Sequence, residues 1–166
     1  MPPQDPGTLT TLEPASAPEG LATPLFVADL LGRLRDFMRA EATIAAKVVP
    51  GKEQEGAKFS DYFDHAESWA GIPSHRALAI LRAAKEEVVT IEIAPDPDTG
   101  TARAEQMVAA AIGIPGKGPG DDWLRGVAGW TWRVKLALTM YADLLTELRR
   151  RAHDEAIAVF ARNLKD

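Results

Sequence analysis

From residue 24 onward, apolar side chains return every three or four positions, and that period admits little besides packed helices. Phe26, Leu30, Leu34 and Phe37 open the pattern, with Met38 and Ile44 beside them. Thr23 stands where a helix cap belongs, Pro24 suits the first turn, and Pro50-Gly51 is a stop signal. A second helix follows Ser74, its expected cap, with Ala77, Leu78, Leu81 and Ala84 as the buried face. A third runs from about Ala102 to Ile112, between Thr101 as cap and the stop signals Gly113 and Pro115.

The fourth helix, capped by Asp121 or Asp122, carries Trp123, Val127, Trp130 and Val134 on one face. Leu124, Trp132 and Leu136 lie off that face, so burial over much of its circumference is expected. The last helix bears Leu145, Leu148, Ala152, Ile157, Phe160 and Leu164. Its polar side offers Glu147 to Arg151, Arg150 to Asp154 and Arg151 to Glu155, opposite charges one turn apart on a solvated surface.

One stretch changes period. Val89, Ile91 and Ile93 alternate with Val88, Thr90 and Glu92, which is strand spacing. A lone strand leaves its backbone groups unpaired, so a partner must come from elsewhere. Residues 1–23, rich in Pro, Ser, Thr and Gly, are read as a flexible leader. The expected fold is mainly α, a multi-helix assembly over residues 24–166 with one minor strand near 88–93.

Totals narrow the function. A length of 166 residues suits one domain, and 46% hydrophobic with 26% charged residues suits a globular chain. The net charge of −5 argues against a protein that grips nucleic acid with its whole surface, so any such contact is expected to be local. There is no cysteine, hence no disulfide, thiolate metal site or cysteine nucleophile. The first twenty residues lack a signal-peptide pattern and no apolar run approaches a bilayer span, so the expected location is cytoplasmic, with no membrane partner.

Asp61, Asp64, His65, Glu67 and His75 hold oxygen and imidazole groups, but in no metal-binding spacing, and capping and solvation account for them. Gly113-Ile114-Pro115-Gly116-Lys117-Gly118 lacks the Ser or Thr that a phosphate loop needs after its lysine, and reads as a linker. His65, His75 and His153 lie in separate segments with no serine and acid pattern around them. Neither an enzyme, a metal, a cofactor nor a small-molecule substrate is expected.

Nucleic acid is the more serious proposal. His75, Arg76, Arg82 and Lys85 share one helix, the first two at its N-terminal end where amides also face outward. Arg133 and Lys135 flank Trp130 and Trp132, the aromatic and basic mixture of stacking surfaces. Tryptophans at helical spacing are more often core, however, and arginines beside them often pair with acids. Arg149, Arg150 and Arg151 read as a solvated face.

As a pattern, Lys58-Phe59-Ser60-Asp61-Tyr62-Phe63-Asp64 followed by the run from Ile72 to Arg82, IPSHRALAILR, resembles the Tex family of bacterial RNA-binding transcription accessory proteins. The segments Trp130 to Lys135 and Asp154 to Asp166 extend the resemblance, which covers Leu30 to Asp166. It departs from the family in the leader, and at Ala83-Ala84, where a glycine is expected after the arginine. The resemblance implies a role in transcription through nucleic-acid binding, in a longer protein with an RNase-H-like domain and an RNA-binding S1 domain downstream. The final stripe runs through Leu164 without a glycine or proline stop, and the expectation is a fragment of the N-terminal helical region. Its helices would act as a scaffold. The alternative is a protein-interaction module, docking on a partner such as the transcription machinery through apolar helix faces.

Overall fold

The computed structural model describes residues 24–114 and 118–164; the expected leader, the Thr23 cap and the Pro115 stop lie outside them. Among the described residues the order is α1 (Pro24–Glu41), β1 (Thr43–Val48), a 3-10 turn (Ala57–Tyr62), β2 (Asp64–Ser68), α2 (Ser74–Lys85), β3 (Val89–Ala94), α3 (Thr99–Ile112), α4 (Asp121–Thr131), a π turn (Trp132–Leu136) and α5 (Ala137–Asn163). The chain is mainly α with a minor sheet.

The strand expected near 88–93 is β3, and its partner comes from within the chain. β1 sits centrally, antiparallel to β2 on one side and β3 on the other, with Ile44 opposite Ile93 and Glu67. The first helix therefore ends at Glu41 rather than at Pro50. The sequence hid β1 because Ala45 and Ala46 blur the alternation that Ile44 and Val48 begin. In three dimensions the alternation is clear: Ile44 and Ala46 are buried, Thr43 and Lys47 exposed. β2 (Asp64-His65-Ala66-Glu67-Ser68) is too polar to declare itself as a strand at all.

One core gathers Leu34 and Met38 of α1, Ile44 of β1, Ile80 of α2, and Met140, Leu144 and Leu148 of α5, all essentially without solvent contact. Burying a side chain of this size stabilises by about 1.5–3 kcal/mol. The fourth expected helix and the last are one rod, α4 to α5, broken only by the π turn. The turn adds a residue to the cycle. Its buried stripe still runs on through Ala128, Trp132, Met140, Leu144, Leu148 and Ala152.

The expected buried face of α4 is reversed. Trp123, Trp130 and Val134 face solvent, while Ala128, Gly129 and Trp132 face the core. Small residues let α4 lie close to α3, where Gly129 backs onto Glu105. Periodicity picked out the stripe of large residues and, of the stripe that faces the core, placed only Trp132 off it; close packing selects the smaller residues.

Cap assignments also shift. Ser74 is the first residue of α2 and makes no cap bond; its hydroxyl reaches the Glu155 carboxylate on α5. Thr101 lies inside α3, and Asp96 organises that N-terminus, accepting from the Thr99 backbone N–H and hydroxyl at 2.8 Å each. Gly113 closes α3 in the left-handed conformation, φ +78°, as its stop role requires.

Candidate nucleic-acid interface

α2 and α5 cross over the sheet, and between them lies an open trough of about 620 Å³. Leu78, Leu81 and Ala84 form its apolar floor, half-buried because α5 covers one side only. Arg82 and Lys85 of α2 stand on one bank, Arg149 and His153 of α5 on the other. Through Leu78 the trough meets a second hollow of about 410 Å³, lined by Ser74 and His75 of α2 and by Glu155, Ala156, Val159 and Phe160 of α5.

Three of the sequence candidates, His75, Arg82 and Lys85, thus share one surface. Arg82 is partly neutralised: its Nε donates to Glu86 at 3.2 Å, and Glu86 also holds Lys58 at 2.6 Å. Lys58 first, then Arg82, keep the Glu86 carboxyl below its ordinary pKa. Lys85 and Arg149 form no ion pair with another described residue, so they carry the free positive charge of the trough. Arg149 and His153, one turn apart, were passed over in the sequence with Arg150 and Arg151 as one solvated face, although Arg149 alone of the three lacks an acid one turn away.

The tertiary structure separates those three arginines. Arg150 pairs with Asp154 at 3.0 Å, as the spacing suggests. Arg151 turns away to Trp69, and Glu147 binds Arg39 of α1, so the expected Glu147–Arg151 pair does not form. Nor does Arg151–Glu155, because Glu155 accepts from Ser74.

Arg76 leaves the site. Its Nε and one terminal nitrogen donate to the two oxygens of Glu67 at 3.0 and 2.9 Å, a forked pair that ties α2 to β2. His65 meets the same carboxylate at 2.9 Å. Burial raises the Glu67 pKa, but hydrogen bonds from Arg76 and His65 outweigh it and leave the group below its ordinary value. Of the carboxylates and histidines considered for a metal, only His65 and Glu67 come into contact this way, and among the described residues no group of three or more His, Asp or Glu could hold a metal ion.

Arg133 and Lys135 lie on a different surface, beside α3. Arg133 is bound to Glu105, and Trp132 is buried in the core, leaving Trp130 and Lys135 exposed there. The mixed stacking surface expected from Trp130, Trp132, Arg133 and Lys135 is therefore split. No described helix is long and apolar enough to cross a membrane.

A helical frame around a three-stranded sheet, with Arg82, Lys85, Arg149 and His153 gathered where α2 meets α5, defines a helical module with a local basic trough. A family model described as Tex central region-like matches residues 26–160. The chain belongs to the Tex family. It is 43% identical over 144 residues to Protein YhgF of Escherichia coli K12, a match covering 84% of this chain and 19% of that protein. To the transcriptional accessory protein Tex of Neisseria gonorrhoeae it is 45% identical over 143 residues, 84% of this chain and 18% of the relative. To Protein tex of Bordetella pertussis it is 37% identical over 148 residues, again 84% of this chain and 19% of the relative. The chain thus spans about a fifth of the length of these relatives.

Proposed function

We propose that this chain is a helical scaffold segment of a cytoplasmic, non-enzymatic transcription accessory protein, and that it touches RNA locally, through the α2–α5 trough. The observation that carries the reading is the pairing of Lys85 and Arg149 across an open apolar floor, with Arg82 and His153 beside them and no carboxylate lining the trough. Phosphates need cationic donors that are not already committed, and the trough supplies two. The floor of Leu78, Leu81 and Ala84 gives base or sugar faces an apolar seat. The similarity to the Neisseria gonorrhoeae relative, a transcriptional accessory protein, supports the setting.

The test is fluorescence anisotropy of a labelled RNA oligonucleotide across a salt series, with the chain as titrant. Binding is expected to weaken steeply with salt, and Lys85→Glu with Arg149→Glu to lower the log–log slope by about 1–2 units. Binding that ignores both salt and the substitutions, or no binding, overturns the reading. Circular dichroism of the double variant checks that the exposed changes leave the fold intact.

A further inference from the structure

One face of the α4 rod is apolar and open. Trp123 is 72% exposed, Trp130 52%, Val134 51% and Leu138 66%, with half-buried Val127 between the two tryptophans. The spacing from Trp123 through Val127 to Trp130 and Val134 is four, three, four, the seam of one helix packing on another. The next step to Leu138 is again four, where three would be due. The π turn at Trp132–Leu136 absorbs the additional residue and keeps Leu138 in line. Gly126, beside the strip, has open space where a Cβ would be, so another backbone can come close.

We propose that this strip receives an amphipathic helix from the part of a full-length Tex-family chain that lies outside the matched stretch. Three observations select that occupant. The matched stretch is 19% of the Escherichia coli relative, so roughly four-fifths of such a chain is available to cover it. Of the flanking cations among the described residues, Arg125 is spent on Asp122 and Arg133 on Glu105, which leaves Lys135 alone beside four exposed apolar side chains, so the strip asks for apolar side chains more than for phosphate. Its exposed residues offer about 500 Å² per copy, so pairing two copies would bury about 1,000 Å², under the range of stable dimers. A tethered helix needs less area, because the linkage raises its effective concentration.

The experiment is hydroxyl-radical footprinting of Trp123 and Trp130, read by mass spectrometry. It compares this chain alone with a full-length Escherichia coli YhgF protein carrying residues 26–160 of this chain in place of its own matched stretch. Oxidation of both indoles is expected to be about tenfold slower in the full-length host than in the chain alone. Equal oxidation overturns the proposal. Protection in the chain alone that grows with protein concentration assigns the strip to a second copy, and protection that appears only with added RNA assigns it to nucleic acid; either also overturns it. Since a chimera can misfold, hydrogen exchange in unaltered YhgF, over the segment aligned with residues 121–138, gives an independent reading. Fast exchange of that segment's amides throughout, as in a frayed exposed helix, counts against the proposal.

Discussion

The guanidinium of Arg151 lies over the indole of Trp69, 4.6 Å from the ring centroid, and donates a hydrogen bond to the Trp69 carbonyl at 2.8 Å. The same tryptophan donates its indole N–H to the carbonyl of Leu144 at 3.3 Å. These bonds clamp α5 onto the loop between β2 and α2, and so hold the two banks of the trough at a set separation. Arg151→Ala should cost about 1–3 kcal/mol in urea unfolding, the combined loss of a shielded cation–π contact and a charge-assisted hydrogen bond. Arg151→Lys should recover only part of that, since an ammonium cannot stack as a plane.

Arg76 and Lys85 sit on one helix but should behave oppositely. Arg76→Ala breaks the forked pair to Glu67 and is expected to cost about 1–3 kcal/mol of stability, because the shielded Glu67 carboxylate then keeps only His65. Its effect on RNA affinity, at matched folded fraction, should be small. Lys85→Ala should do the reverse, leaving unfolding within about 0.5 kcal/mol while weakening RNA binding. Equal effects on both readouts for either residue would contradict the assignment.

Acid should loosen the β2–α2 junction. The Glu67 carboxyl is depressed in the folded chain, so it binds protons less readily folded than unfolded. Its stabilising contribution is complete above the ordinary glutamate pKa and is lost as pH falls through the lower folded value. A plot of unfolding free energy against pH should therefore fall in the acid range, and less steeply in Glu67→Gln. Coincident slopes for the two proteins would remove Glu67 from the account.

Gly56 is held by space rather than by conformation. Its φ of −91° suits any residue, but an added Cβ would lie 2.1 Å from Val88 Cγ1 and 3.0 Å from the Lys52 carbonyl oxygen. Gly56→Ala should therefore destabilise by about 1–3 kcal/mol, the usual cost of overpacking. The double variant Gly56→Ala, Val88→Ala should regain part of this, which a calorimetric midpoint would register.

Much of the fold was legible in particular residues. Ala77 and Leu34 lay on helical stripes and are buried, and Val89 to Ile93 announced a strand. β1 and β2 were not legible, since Ala45-Ala46 carries no alternation and Asp64 to Ser68 is polar on both faces. Of the candidate site, Arg82, Lys85 and His75 were in view because they share a helix. Arg149 and His153 were not singled out, although Arg149, unlike Arg150 and Arg151, has no acid one turn away, a signal that the spacing of α5 did carry.

The sequence by itself determined what is local: helix periods, the glycine stop at Gly113, the family pattern around IPSHRALAILR, and an acidic balance that confines any phosphate contact to a patch. Tertiary packing alone decided which stripe of α4 faces inward, which arginines are spent on carboxylates and which remain free. Those outcomes depend on partners from distant elements, such as Glu67 for Arg76 and Trp69 for Arg151. Hydrogen bonds and close packing are pairwise, and a sequence states only one member of each pair at a time.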